Sequence, residues 1–208
     1  MSTCSKCRMA GEKLYLKGNK CRSPKCTLEN RPTTPGQHAR RIGTKKLTEY
    51  GKQLDAKQKV KIMYHMRERQ FRRFFDLASK LHGITGENLL SLLERRLDNV
   101  IFRLKMAISR VQARQMIVHG HIKVNDNIVD CPSFVVKQGD VVSLNPATEN
   151  NKIFIENVVD KRLATAIKVP EWLELQKKDR RGVIVRLPLR SDITTPIEEH
   201  LIVELYSK

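Results

Sequence analysis

Two close cysteine pairs, a long stretch of helical periodicity and a later switch to short apolar runs between turn signals predict an α+β protein. The pairs are Cys4/Cys7 and Cys21/Cys26, the helical spacing covers residues 47–95, and the short runs lie within 122–144. Three parts follow. Residues 1–46 form a basic arm stapled by a metal, and residues 47–95 a mostly helical domain completed by about 170–208. Residues 96–169 form a small inserted α+β domain and its extension.

In the arm, two residues separate Cys4 from Cys7 and four separate Cys21 from Cys26. Pairs this close present thiolates from two tight turns to a tetrahedral Zn²⁺. The same four cysteines could hold an iron–sulfur cluster, and spacing leaves that alternative open. Disulfides are disfavoured, because no apolar signal-peptide core precedes the pairs. Reduced cysteines with no ligand role are the bland alternative. Pro24, Pro32, Pro35 and Gly36 punctuate a stretch that also carries Arg22, Lys25, Arg31, Arg40 and Arg41, which reads as an extended arm.

Charge points to the partner. Residues 1–46 hold 12 Lys/Arg against 2 Asp/Glu, an excess that repels itself unless an anion neutralises it. The whole chain of 208 residues carries a formal charge of +18 with a pI near 10.0. Such a chain suits a polyanion, either nucleic acid or an acidic membrane. No run approaches the roughly 18 apolar residues of a spanning helix, so nucleic acid is favoured and a cytoplasmic location expected.

From Leu47 the spacing becomes helical. Gln53 to Tyr64 is one expected helix and Arg67 to Leu81 a second, with Phe71, Phe74, Phe75 and Ala78 on one apolar stripe and Arg69, Arg72 and Arg73 off it. A third, Glu87 to Arg95, is apolar nearly all round and therefore central. Leu97, Val100, Ile101, Leu104 and Ile108 mark the next. Ser109 followed three residues later by Gln112 is a capping-box signal for another helix, which Gly120 ends. Arg110 and Arg114 lie four apart on it, on a face expected to be exposed. Ile122, Val124, Ile128 and Val129 predict a hairpin through Asp126-Asn127. Phe134-Val-Val and Val141-Val-Ser-Leu flank a further turn, Gln138-Gly-Asp. Beyond Leu144 the signals thin to a strand at Ile153-Phe-Ile, a helix over 158–167, a strand over 183–187 and a last helix from Pro196 to Tyr206. Trp172 is the expected packing anchor. The last helix carries Ile197, Leu201, Ile202 and Leu205, and the helices of 47–95 are the surface it needs.

Glu94-Arg-Arg-Leu-Asp-Asn-Val, Ser109-Arg-Val-Gln-Ala-Arg-Gln and His119-Gly-His-Ile-Lys-Val-Asn together resemble the RNA-binding domain named after small-subunit ribosomal protein S-four. The likeness extends further. Tyr50-Gly-Lys-Gln-Leu, Glu68-Arg-Gln-Phe-Arg-Arg-Phe-Phe, Thr85-Gly-Glu-Asn-Leu-Leu, Pro170-Glu-Trp-Leu-Glu-Leu and Leu201-Ile-Val-Glu-Leu-Tyr-Ser resemble the bacterial or organellar ribosomal S-four family, and the cysteines resemble its metal-bearing members. Three places depart from the family pattern: only three residues precede Cys4, Asp126-Asn127 stands where a glycine is frequent, and so does His65-Met66.

The resemblance implies a structural constituent of the small ribosomal subunit. It would bind small-subunit rRNA directly, hold a multi-helix junction of the 5′ domain and nucleate assembly. It would lie near the mRNA entry beside neighbouring small-subunit proteins, influence accuracy, and in some members repress its own message. The expected location is the cytoplasmic ribosome, with an organellar ribosome as the alternative. Structured RNA is read largely through backbone and shape, so arginines on rigid elements suit it. The expected RNA-binding residues are Arg22, Lys25, Arg31, Arg40 and Arg41 in the arm, Arg69, Arg72 and Arg73 in the helical domain, and Arg96, Arg103, Arg110, Arg114 and Lys123 in the module. Cys4, Cys7, Cys21 and Cys26 are the expected metal ligands; Cys131, before Pro132, reads as a small buried residue. His119 and His121 could touch RNA or simply finish a helix and start a strand. No catalytic arrangement and no glycine-rich phosphate loop stands out. An RNA-modifying enzyme would need a further catalytic domain, and a zinc-dependent DNA-binding regulator would prefer duplex DNA.

Overall fold

The computed structural model describes residues 2–37, 39, 46–149, 155–163 and 168–207. The chain forms two compact units: Met1–Leu77 with Pro196–Lys208, and Ala78–Thr195. The division falls inside a helix, α4 below.

The first unit begins with α1 (Thr3–Ala10), capped by the Ser2 hydroxyl, which accepts from the Ser5 amide, and ended by Gly11 at φ 71°. A 3₁₀ turn (Gly18–Arg22) and the single-turn α2 (Thr27–Asn30) follow. Leu14, Leu16 and three cysteines are buried, so the cysteine segment is a small folded knuckle; the extended arm expected between it and residue 46 lies partly outside the described residues. Arg8 ties its far end to α1, donating from Nε to the Thr33 carbonyl (2.7 Å) and from Nη2 to the Thr34 carbonyl (3.2 Å).

Helix α3 (Glu49–Met63) starts four residues earlier than its apolar spacing suggests, because the Thr48 hydroxyl caps it by accepting from the Gly51 amide. It ends where His65 takes φ +53°, the left-handed geometry glycine usually supplies, and the Met66 amide returns to the Lys61 carbonyl. In α4 (Glu68–Lys80), Phe71, Phe74, Phe75 and Ala78 are buried and Arg69, Arg72 and Arg73 exposed, as the stripe predicts. The C-terminal helix, here α9 (Glu199–Ser207), packs on α3. Tyr206 stacks on Phe75 (ring centroids 4.5 Å) and donates its hydroxyl to Glu68 Oε1 (2.9 Å).

The second unit contains α5 (Thr85–Glu94), α6 (Leu97–Arg103), α7 (Arg110–Val118) and a five-stranded antiparallel sheet. Its strands are β1 (Ile122–Val124), β2 (Asn127–Ile128), β3 (Val141–Leu144), β4 (Leu173–Gln176) and β5 (Arg181–Ile184), in spatial order β2-β1-β3-β5-β4. A single helical turn, α8 (Pro146–Glu149), follows β3. Leu97, Val100, Ile101 and Leu104 of α6, Ala113, Met116 and Ile117 of α7, alternate strand residues and Trp172 make one core. Gly182 in β5 is dictated by packing, since a Cβ there would lie 2.3 Å from Leu104 Cδ1.

Several local expectations shift. The β1–β2 hairpin turns at Asn125-Asp126, both at positive φ, with Val124 opposite Asn127, one residue before the expected pair. Phe134-Val-Val supplies only a bridge from Val135 to Arg96. Ile155–Asp160 is a π-helical turn followed by a short α turn, Lys161–Leu163. Residues 153–154 of the expected strand and 164–167 of the expected helix lie outside the described residues; Ile155 is helical instead of extended, and 158–163 are helical as the spacing suggests. The strand expected at 183–187 is β5, two residues earlier, and the last helix starts at Glu199.

Candidate RNA-binding surfaces

In the knuckle, Cys7, Cys21 and Cys26 are buried and Cys4 half-buried. Burial pushes the Cys7 thiol up, a bond from the Leu14 backbone pulls it down, and nearby Cys21, Cys4 and Cys26 raise it further, so all four sulfurs act on one locality. The Lys17 amide donates to Cys21 Sγ at 3.3 Å. Among the described residues, however, no group of three or more His, Cys, Asp or Glu side chains stands in metal-ligating arrangement. The metal staple is therefore not part of the fold as observed.

The arm's cations divide. Arg22, Lys25 and Arg31 are exposed, and the Arg22 guanidinium sits 5.5 Å from the Tyr15 ring centroid. Arg40 and Arg41 lie outside the described residues. On α4, Arg69, Arg72 and Arg73 stand in solvent, opposite the phenylalanine stripe.

The module's arginines behave differently. Arg96 is fully buried and makes a fork to Asp98, Nε to Oδ1 at 3.1 Å and Nη2 to Oδ2 at 2.6 Å. Arg103 makes a second fork to Glu94 (3.0 and 2.6 Å). Glu94, 1% exposed, also accepts from Asn99 Nδ2 at 2.7 Å, and Asn99 Oδ1 accepts from Arg110 Nε at 2.8 Å. The Arg110 guanidinium lies 4.6 Å from the Phe102 ring centroid. These three arginines thus face inward, because Asp98, two residues away, and Glu94 and Asn99, on neighbouring helices, offer buried acceptors. Charge at i, i+4 cannot reveal that. Of the two α7 arginines only Arg114 is exposed, beside Val111, Gln115 and Val118; Lys123 on β1 is half-buried.

Other polar groups have local roles. His121 Nδ1 bonds the Thr148 hydroxyl (2.8 Å), with the His119 ring 6.0 Å away. Cys131 is exposed, contrary to the expectation of burial, with Ser133 Oγ 3.3 Å from its sulfur. Sequence reasoning missed Tyr15, an exposed aromatic between buried leucines. It also missed Lys105, a buried lysine whose ammonium is disfavoured chiefly by burial and then by Lys177 and Arg162.

Comparison with known proteins places this geometry. Residues 1–94 match the Ribosomal protein S4/S9 N-terminal domain family, and residues 95–142 match the S4 domain. A protein of Thermoanaerobacter sp. (strain X514), named small ribosomal subunit protein uS4, is 53% identical over 206 residues, covering 99% of this chain and 97% of the relative. Proteins of the same name from Halothermothrix orenii and Dictyoglomus turgidum are 49% and 50% identical over 205 residues, each covering 99% of this chain and 96% of the relative. On two successive domain matches and relatives this similar along nearly the whole of both chains, the protein belongs to the small ribosomal subunit protein uS4 family.

Proposed function

We propose that this protein is a structural, rRNA-binding constituent of the small ribosomal subunit and not an enzyme, working in the ribosome of the cytoplasm beside neighbouring small-subunit proteins. Family membership supports that role. The finer reading is that it binds a multi-helix junction of the rRNA 5′ domain early, nucleates assembly, lies near the mRNA entry, contributes to accuracy and can repress its own message. The observation that carries RNA binding is the set of exposed cations on rigid elements: Arg22, Lys25 and Arg31 on the knuckle, Arg69, Arg72 and Arg73 on α4, and Arg114 on α7. Each phosphate they neutralise releases counterions. Lys123 belongs with them, as do Arg40 and Arg41 on sequence grounds. Arg96, Arg103 and Arg110 hold the module's frame. The working division is arm (1–46), helical part (47–95, completed by about 170–208) and RNA-binding part (96–169). The junction of the two family matches at 94/95 supports its middle boundary, whereas β4 and β5 join the sheet of β1–β3, so of the C-terminal part only Pro196 onward joins the first unit.

The four cysteines fit a structural Zn²⁺ in their donor chemistry. Three sulfurs are buried, and the Lys17 and Leu14 amides bond two of them, as amides do to metal-bound thiolates. Cys4, Cys7, Cys21 and Cys26 would be the ligands, and the metal would stabilise the knuckle. Elemental analysis of the purified chain tests this: about one zinc per chain supports the reading and none overturns it.

The function is tested by measuring binding to a small-subunit rRNA 5′-domain fragment, an unrelated structured RNA and duplex DNA across a salt series. Preference for the rRNA that survives moderate salt is the expected result. Equal binding to all three, lost steeply with salt, would mean a merely basic surface.

A further inference from the structure

Tyr15 is held in an unusual way. It takes φ +51°, a left-handed backbone that bulky residues rarely adopt. Its neighbours Leu14 and Leu16 are 3% and 5% exposed, whereas Tyr15 is 43% exposed. The conformation is anchored on both sides by sulfur. The Leu14 backbone bonds Cys7, and the Lys17 amide donates to Cys21 Sγ at 3.3 Å. Two buried leucines and two sulfur-bound amides therefore turn an aromatic ring outward at a backbone cost. Strain maintained in this way by its surroundings is a mark of functional positions. The Arg22 guanidinium, 5.5 Å from the ring centroid, adds a planar cation to the exposed aromatic.

We propose that Tyr15 with Arg22 is a stacking platform for an unpaired nucleobase of the bound RNA. The inference rests on the RNA-binding reading above and deepens it: the knuckle presents a base-binding ring as well as phosphate-binding charge. Every base has a π face, and aromatic and guanidinium planes recognise bases splayed out of structured RNA. A phosphate contact would need only the cation. It would give no reason for a tyrosine to stand outward in a left-handed conformation.

The test uses the full chain with all cysteines retained. Affinity for the rRNA 5′-domain fragment is measured across a salt series for Tyr15→Leu and Tyr15→Phe. Tyr15→Leu should bind about five- to hundred-fold more weakly, the range set by removal of one stacked base. Its salt slope should match the parent's, since no phosphate contact is lost. Tyr15→Phe should bind as the parent does. Parent-like binding by Tyr15→Leu overturns the platform, and so does an equal loss in Tyr15→Phe, which would assign the effect to the hydroxyl. A gain-of-signal variant guards against misfolding. In Tyr15→Trp the new indole should be quenched as RNA is added, against the constant background of buried Trp172; unchanged emission at saturating RNA also overturns the proposal. The two readings fail separately. Equal affinity of the parent for unrelated structured RNA would sink the ribosomal role, while the indole would still report stacking on whichever RNA is bound.

Discussion

Glu68 shows how one side chain can hold a helix end. Burial opposes its ionisation, but bonds from Lys57 Nζ (2.9 Å), Lys61 Nζ (2.9 Å) and the Tyr206 hydroxyl (2.9 Å) outweigh it and hold the carboxyl at about 2, below its ordinary 4.5. A depressed folded-state value contributes stability that is present above the unfolded value and lost as pH falls toward the folded one. Thermal unfolding midpoints should therefore drop between pH 5 and pH 2 more in the parent than in Glu68→Gln. The side chain is 46% exposed, so solvent screening reduces the contribution to roughly 1 kcal/mol. Equal pH dependence in both proteins would assign the effect elsewhere. Glu94 is the buried counterpart. Glu94→Gln removes the charge that the Arg103 fork and Asn99 both bond and should cost about 3–5 kcal/mol in urea unfolding. A loss under 1 kcal/mol would show that water reaches Arg103. At this scale the sequence was a poor guide. It identified arginines, but whether each stood in solvent or turned to a buried acceptor depended on groups such as Asp98 and Asn99, which no local pattern displays. Tyr15 was invisible for a related reason, since its outward pose depends on sulfurs on other turns.

At the scale of elements, legibility followed periodicity. The phenylalanine stripe of α4, the Ser109 cap of α7 and the Trp172 anchor were all readable, because each depends on residues within one or two turns or on sheer size. The β1–β2 turn slipped by one because Asn125 and Asp126 share the left-handed region, where Asn and Asp tolerate φ values most residues avoid. The Phe134 run was no strand because its polar backbone groups are spent elsewhere: the Phe134 carbonyl accepts the Leu97 amide and the Val136 amide donates to Arg95. For the knuckle, Cys7→Ser with Cys26→Ser should loosen residues 1–46 and weaken rRNA binding by about ten-fold. Far-UV circular dichroism of residues 47–208 should be unchanged. Melting of the whole chain in the double variant would show that the knuckle is not an independent element.

For the whole molecule, the proposed RNA binding rests on many exposed charges, and removing a few should change the salt slope before it changes specificity. Replacing Arg69, Arg72 and Arg73 together with Gln should reduce the slope of log K against log salt by about two to three, with preference for rRNA retained. An unchanged slope would place α4 away from the phosphates. The α3–α9 pairing has a consequence for how the chain comes into being. Tyr206 reaches Glu68 across 138 residues of sequence, and α9 completes the unit that α1 begins. During synthesis Ala78–Thr195 can close as soon as its own residues emerge, whereas the earlier-made helices wait for the final turn. Until then the phenylalanine face of α4 lacks its lid, and the nascent protein carries its most basic segment on an unfinished platform. Order of synthesis and order of folding are thereby reversed.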